Sequence, residues 1–205
     1  DGYIRLWDVK TAKKLATFHD SADWKGTRYS GPEFSPDGKY ITSHVEDNMV
    51  RVWYLSSLDP IVTLKGVRGF VGYSPDGKLL AACCADKTLT LWDANTFVER
   101  AKIQTHNVSL ISAKFSPDGK LVATVCVDKT LTLWDAKTFV ERAKIDAHDG
   151  GFTGAMTFSP DGKLVATSSG DGIVKIWEMS HLLSGGSPAP VPAPTAVKAR
   201  SGDRK

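Results

Sequence analysis

The chain has 205 residues, 41% hydrophobic, 24% charged and 9% aromatic, a balance that suits a folded body with a sizeable core and excludes wholesale disorder and collagen-like repetition. No run of about 18 apolar residues occurs, which excludes a membrane-spanning helix. The formal charge of +3 arises at one end: from Ser184 onward Lys198, Arg200, Arg204 and Lys205 face Asp203 alone, and the other 22 basic and 22 acidic residues cancel, so the body lacks the clustered basic face that nucleic-acid binding needs.

The first residue is Asp1 and not Met, so the expectation is that either the true amino terminus is missing or a segment has been removed. In chain order, residues 3–7 and 13–18 read as two strands ending a unit whose beginning is absent. The string SPDGK then recurs from Ser35, Ser74, Ser116 and Ser159, with spacings of 39, 42 and 43 residues. Each copy leads through an apolar stretch and an Asp to a Trp, giving Trp53, Trp92, Trp134 and Trp177, and Trp7 follows Asp1-Gly2 in the same way. Trp24 alone stands outside this series. The segments DKTLTLWDANTFVERAKI from Asp86 and DKTLTLWDAKTFVERAKI from Asp128 differ only at Asn95 and Lys137, the mark of a duplication.

Within a unit the hydrophobic period is two. In Thr130-Leu131-Thr132-Leu133-Trp134 the leucines face one way and the threonines and Trp the other, a strand pattern. Pro36, Pro75, Pro117 and Pro160 preset the first central position of a turn whose Gly takes a left-handed backbone. A second turn is expected at Asp47-Asn48, Asp86-Lys87, Asp128-Lys129 and Asp171-Gly172. Each unit is therefore a meander of short antiparallel strands, placed in the third full unit at 108–115, 121–126, 130–134 and 139–145. The last unit, 152–177, lacks its outermost strand. Both strand faces carry packing side chains, so units must stack face to face, which is the β-propeller arrangement. From Ser184 to the end the Gly, Ser, Pro and Ala content rises, and a disordered basic tail is expected over 184–205 beside a folded segment over 1–183.

These residues resemble the WD-repeat (WD40) family. Trp-Asp stands at Trp7-Asp8, Trp92-Asp93 and Trp134-Asp135, with Trp53-Tyr54 and Trp177-Glu178 as variants. The resemblance implies an all-β propeller of four units plus a partial one, forming an arc of a larger propeller of about seven blades. A four-bladed ring closed by residues 13–18 is the alternative. An open arc would expose an apolar blade face and an unpaired edge, and so favour association. The resemblance also implies hydrogen-bonded quartets: His19, Ser43, Asp47 and Trp53; His106, Thr124, Asp128 and Trp134; His148, Thr167, Asp171 and Trp177. The second full unit keeps Asp86 and Trp92 but has Ala82 at the hydroxyl position and Val67 near the histidine position. Its quartet is partial, and that blade is expected to be the least rigid.

A Ser or Thr, a His and an Asp together invite a hydrolase reading. Their recurrence with a Trp whose indole N–H needs a buried acceptor favours bracing over catalysis, and neither a G-x-S-x-G elbow nor a phosphate loop is present. The three cysteines make no disulfide framework and no C-x-x-C pair, so a reducing compartment is expected and packing is read for Cys84 and Cys126. His44 and His181 are read as packed or solvated, and the FVER segments as charged outer strands guarding an edge. No catalytic, cofactor-binding or metal-binding residues are assigned.

The expected function is a non-catalytic protein-interaction scaffold inside the cell, cytoplasmic or nuclear. By resemblance its partner contacts are Glu46, Ala85, Val127 and Gly170, each just before a turn Asp, with Trp24 as a candidate aromatic anchor. Two alternatives are carried. One is an RNA or ribonucleoprotein contact through the tail. The other is a substrate receptor of a cullin-based ubiquitin ligase, suggested by Trp7-Asp8-Val9-Lys10 and Trp134-Asp135-Ala136-Lys137, which end in Lys where that class has Arg.

Overall fold

A computed structural model describes residues 3–18, 30–45, 48–104, 108–150, 152–170 and 172–185. His19, Trp24, Glu46, Asp47, His106 and Asp171 lie outside the described residues, as does the stretch 186–205. The polypeptide enters as a two-stranded ribbon, β1 (Ile4–Trp7) and β2 (Lys14–Phe18). Three four-stranded meanders follow: β3 (Ser30–Phe34), β4 (Tyr40–Val45), β5 (Met49–Tyr54) and β6 (Pro60–Lys65); β7 (Val67–Tyr73), β8 (Leu79–Cys84), β9 (Thr88–Asp93) and β10 (Glu99–Gln104); β11 (Leu110–Phe115), β12 (Leu121–Cys126), β13 (Thr130–Asp135) and β14 (Glu141–Asp146). The last sheet has three strands, β15 (Phe152–Phe158), β16 (Leu164–Ser169) and β17 (Val174–Glu178), and a five-residue helix α1 (Met179–Leu183) comes directly after it. That helix is absent from the sequence reading. Its Met179 and Leu182 are buried in one core cluster with Leu131, Leu133 and Trp177, and the helix lies against β14 and β17.

All pairings are antiparallel and sequential. SPDGK makes the turn between the first two strands of every full sheet. In the third, Gly119 donates its N–H to the Ser116 carbonyl at 2.8 Å, and Gly119 has φ +70°. The conformation is one that a glycine adopts without a Cβ clash.

The fourth strands begin later than expected. Phe97 and Phe139 take φ of +55° and +60° and donate their N–H groups back to the Asp93 and Asp135 carbonyls at 2.8 Å. The turn after each Trp-Asp therefore swallows the Phe, and β14 starts at Glu141 in place of residue 139. The sequence reading missed this because nothing in an aromatic side chain announces a left-handed backbone.

Face-to-face stacking follows one rule. The residue three before the Trp of one sheet packs on the Trp of the next, joined in three of the four interfaces by the residue one before. Ile4 and Leu6 meet Trp53, Val50 meets Trp92, Leu89 and Leu91 meet Trp134, and Leu131 and Leu133 meet Trp177. Trp53, Trp92, Trp134 and Trp177 are 0%, 7%, 6% and 2% exposed. Each such buried aliphatic or aromatic side chain contributes about 1.5–3 kcal/mol by leaving water. Trp7 departs from the series and is 51% exposed, since no described sheet covers its face. The first strands of successive sheets lie side by side, β7 against β11 and β11 against β15.

Candidate functional site

The polar residues singled out by the repeat lie on the second and third strands of each sheet, and strand register decides what they touch. Val122 pairs with Trp134 and Thr124 with Thr132, so Thr124 sits two residues along from the indole on the same face. The Trp134 indole N–H donates to Thr124 Oγ1 at 2.9 Å. The last sheet repeats this geometry, with Trp177 Nε1 donating to Thr167 Oγ1 at 3.0 Å and His148 Nε2 at 2.9 Å from the same hydroxyl. Register places Ser43 and Trp53 alike, since Ile41 pairs with Trp53 and Ser43 with Arg51. There the Ser43 hydroxyl donates to the His44 carbonyl at 3.2 Å.

Burial sets the chemistry of these hydroxyls. Ser43 is 1% exposed, Thr124 0% and Thr167 1%, and His148 is 4%. A substrate carbonyl has no approach to an oxygen so enclosed, whereas an attacking hydroxyl needs one within reach.

The turn aspartates behave differently, because they sit at the exposed ends of the strands. Asp128 Oδ1 accepts from the Thr130 hydroxyl at 2.7 Å and from the Thr130 N–H at 3.2 Å. Asp86 does the same with Thr88 and adds Lys102, whose ammonium lies 2.6 Å away. Lys102 and Thr88 together hold the Asp86 carboxyl below its ordinary range. Any contact of Asp128 with His106 lies outside the described residues.

In the second full sheet Ala82, opposite Thr90, holds the place that Thr124 holds in the third, so that position brings no hydroxyl to Trp92. Val67, near the histidine position, is fully buried, packs with Leu80 and Trp92, and pairs with Cys84. Apolar side chains stand at the hydroxyl and histidine positions there.

The candidate partner contacts Ala85, Val127 and Gly170 are all exposed, at the turns between second and third strands. Val127 is 51% exposed. Lys87 and Lys129, both in left-handed conformation, flank them, and the Lys129 ammonium donates to the Asp149 carbonyl. At the opposite end a groove of about 1060 Å³ runs between the second and third full sheets, lined by Asp76, Lys78, Asp93, Arg100 and Asp135 among others. Several of its charges are paired within each sheet. Arg100 reaches Asp93 at 2.7 Å and Arg142 reaches Asp135 at 3.3 Å. The arginines of the FVER segments thus tie the outer strand to the Trp-Asp turn.

Burial pushes the Cys126 thiol up to about 11, and the Cys83 and Cys84 thiols also rise for the same reason. Thiols so protonated are poor nucleophiles. Among the described residues no three His, Cys, Asp or Glu side chains converge as a metal site. His44 is half-buried and its basicity falls through desolvation, opposed by the Gly69 backbone. His181 on α1 lies 3.6 Å from Glu178, the last residue of β17. Among the described residues no helix is long and apolar enough to cross a membrane.

Two features were not anticipated from sequence. Glu33 on β3 is held above its ordinary range, chiefly by burial, against the opposing pull of the Tyr73 backbone and the Lys114 charge. The SPDGK serine is more than a turn former. Ser116 Oγ donates to Asp118 Oδ1 at 2.6 Å and accepts from the Leu121 N–H at 3.0 Å. The repetition of Ser with Asp two residues later was the available signal.

Comparison with known proteins adds an independent line. A family model described as WD domain, G-beta repeat, matches residues 29–54, 59–93, 98–135 and 139–178, more than half of the chain. Protein hir1 of Aspergillus terreus is 25% identical over 113 residues, covering 52% of this chain and 11% of its own length. WD repeat and SOCS box-containing protein 1 of Danio rerio is 32% identical over 102 residues, covering 47% of this chain and 23% of its own. Protein transport protein sec13 of Emericella nidulans is 28% identical over 105 residues, covering 46% and 34%. The chain thus spans between about a tenth and a third of the length of these relatives.

Proposed function

The chain belongs to the WD-repeat family, and from that premise we propose that it is a non-catalytic, intracellular scaffold that holds partner proteins on the face bearing the turns between second and third strands. One observation carries the reading: the reactive side-chain types are sealed while the turn positions are open. Thr124 and Thr167 are 0% and 1% exposed, whereas Val127, at the equivalent turn, is 51% exposed. Polar groups spent on bracing leave catalysis without a nucleophile.

In this reading the three complete quartets include His19, Asp47, His106 and Asp171, residues 1–183 form part of a larger propeller, and 184–205 is a tail. The test is affinity capture with the full chain against an Ala85→Glu, Val127→Glu double variant. A defined partner set that the variant loses, with an unchanged melting midpoint, is expected. Identical capture by both proteins sinks the proposal. The RNA alternative predicts something else, namely salt-sensitive binding of generic RNA that disappears on deleting 184–205.

A further inference from the structure

The seam between the second and third full sheets differs from the seam before it. Across the first seam three rings meet: Tyr40 lies 5.4 Å from Tyr54 and 5.5 Å from Phe97, centroid to centroid, and Tyr40 is 7% exposed. At the second seam Leu79 follows its SPDGK as Tyr40 follows the first, and Asp93 follows its Trp as Tyr54 does. One ring of the three remains, Phe139 in the place of Phe97, both at positive φ. Leu79 is half-buried, and with Phe139 it packs on the core cluster that holds Ala136. The loss of two rings leaves room for the groove of about 1060 Å³, of which these three residues form the apolar wall.

The rim of the groove is charged, and one charge is left over. Asp76, Asp93 and Asp135 each face a cation of their own sheet, Lys78 at 3.4 Å, Arg100 at 2.7 Å and Arg142 at 3.3 Å. Lys137 also lines the groove, is exposed, and has no carboxylate within ion-pair distance among the described residues. The duplicated segments differ only at Asn95 and Lys137, and both positions line this groove.

An apolar wall beside an unpaired ammonium selects a ligand that carries an apolar group and a negative charge close together. We propose that the groove docks an extended segment of a partner protein in which a glutamate or aspartate stands beside a large apolar residue, the carboxylate on Lys137 and the apolar side chain against Leu79 and Phe139. The three rim aspartates disfavour a nucleic-acid strand, whose phosphates would lie against them. This surface is separate from the turns between second and third strands, which lie at the other end of the sheets.

Panning of a random peptide phage library on the full 205-residue chain, followed by fluorescence anisotropy of the enriched peptides, tests the proposal. The enriched peptides are expected to be acidic and to carry a leucine, isoleucine or aromatic residue next to the acid. Lys137→Asn copies the sister segment and Leu79→Tyr copies the first seam, so each variant uses a residue type that already occupies the equivalent place in this chain. Each should weaken binding about fivefold or more, with an unchanged melting midpoint. If Leu79→Tyr melts early, Lys137→Asn and Lys137→Glu decide alone. The Ala85→Glu, Val127→Glu double variant should bind the peptides as the wild type does. A library without enrichment overturns the proposal, as do peptides that bind the Lys137 variants undiminished or are lost in the double variant. Enrichment of lysine- and arginine-rich peptides overturns it in favour of the chain's own 184–205 segment. Displacement of the bound peptide by polyuridylate overturns it in favour of nucleic acid.

Discussion

Thr124 illustrates how a single buried hydroxyl is committed. Its Oγ1 accepts the Trp134 indole N–H at 2.9 Å in a site with no exposure. Thr124→Val keeps the shape and removes the acceptor, so the indole N–H loses this partner at a cost of about 1–3 kcal/mol. Thr124→Ser keeps the oxygen and should lose much less. Urea unfolding of both variants measures the difference, and equal losses would mean that the bond contributes nothing. Gly69 is a second committed residue, for a steric reason. A Cβ built on it would lie 2.9 Å from Cys83 Cβ and 3.4 Å from the Ile111 carbonyl oxygen. Neither neighbour is the far end of a flexible side chain. Gly69→Ala should therefore destabilise by about 1–3 kcal/mol, as overpacked positions do. Cys83→Gly in the same chain should recover part of that loss, and a double-mutant cycle reads the coupling.

At the scale of the element, the SPDGK turn is a small electrostatic unit repeated four times along the chain. Its aspartate accepts from the serine hydroxyl and from the backbone N–H two residues on, as in Asp118 with Ser116 at 2.6 Å and Lys120 at 3.1 Å. These bonds favour the carboxylate. The Ser116 hydroxyl, followed by the Lys120 N–H, holds Asp118 below its ordinary range, and the Lys39 side chain with Ser35 brings Asp37 down to about 2. A carboxyl with a folded value below its unfolded one binds fewer protons when folded. Its stabilising share is complete above the unfolded value of about 3.9 and is lost as pH falls through the folded value. Melting midpoints should accordingly fall between about pH 4 and pH 2. Ser116→Ala should move the Asp118 titration upward in carboxyl NMR, and an unmoved titration would refute the assignment. The turn itself was legible in Pro117 and Gly119, because both residue types restrict the backbone in known ways. The hydrogen bonds were not, since Ser and Asp serve many turns without making them. Strand identity was legible from alternation in Thr130 to Trp134. Helix α1 was not, because Met179–Leu183 is too short to show a period and is fixed by the pocket that Met179 and Leu182 fill. Of the candidate site, the positions of Thr124, Thr167 and His148 were legible through the resemblance to the WD-repeat family. That Val67 packs where a histidine was expected follows from its apolar neighbours, which only folding brings together.

For the whole molecule, stability is a sum over neighbouring sheets, each interface formed by one aliphatic row and one Trp. The near-identical segments from Asp86 and Asp128 make this testable, since Leu89 and Leu131 hold the same place in successive interfaces. Leu89→Ala and Leu131→Ala should each cost about 2–5 kcal/mol, the range for truncating an enclosed leucine. Val174 holds the corresponding place in β17 but is 62% exposed, against 0% for Leu89 and 1% for Leu131. In dilute, monomeric protein Val174→Ala should change stability by no more than about 0.5 kcal/mol, as exposed substitutions do. Chemical unfolding of the three variants at one low protein concentration decides the matter. A Val174→Ala loss as large as that of Leu131→Ala would show that a sheet of the same molecule covers β17, which would close the stack and remove the free face.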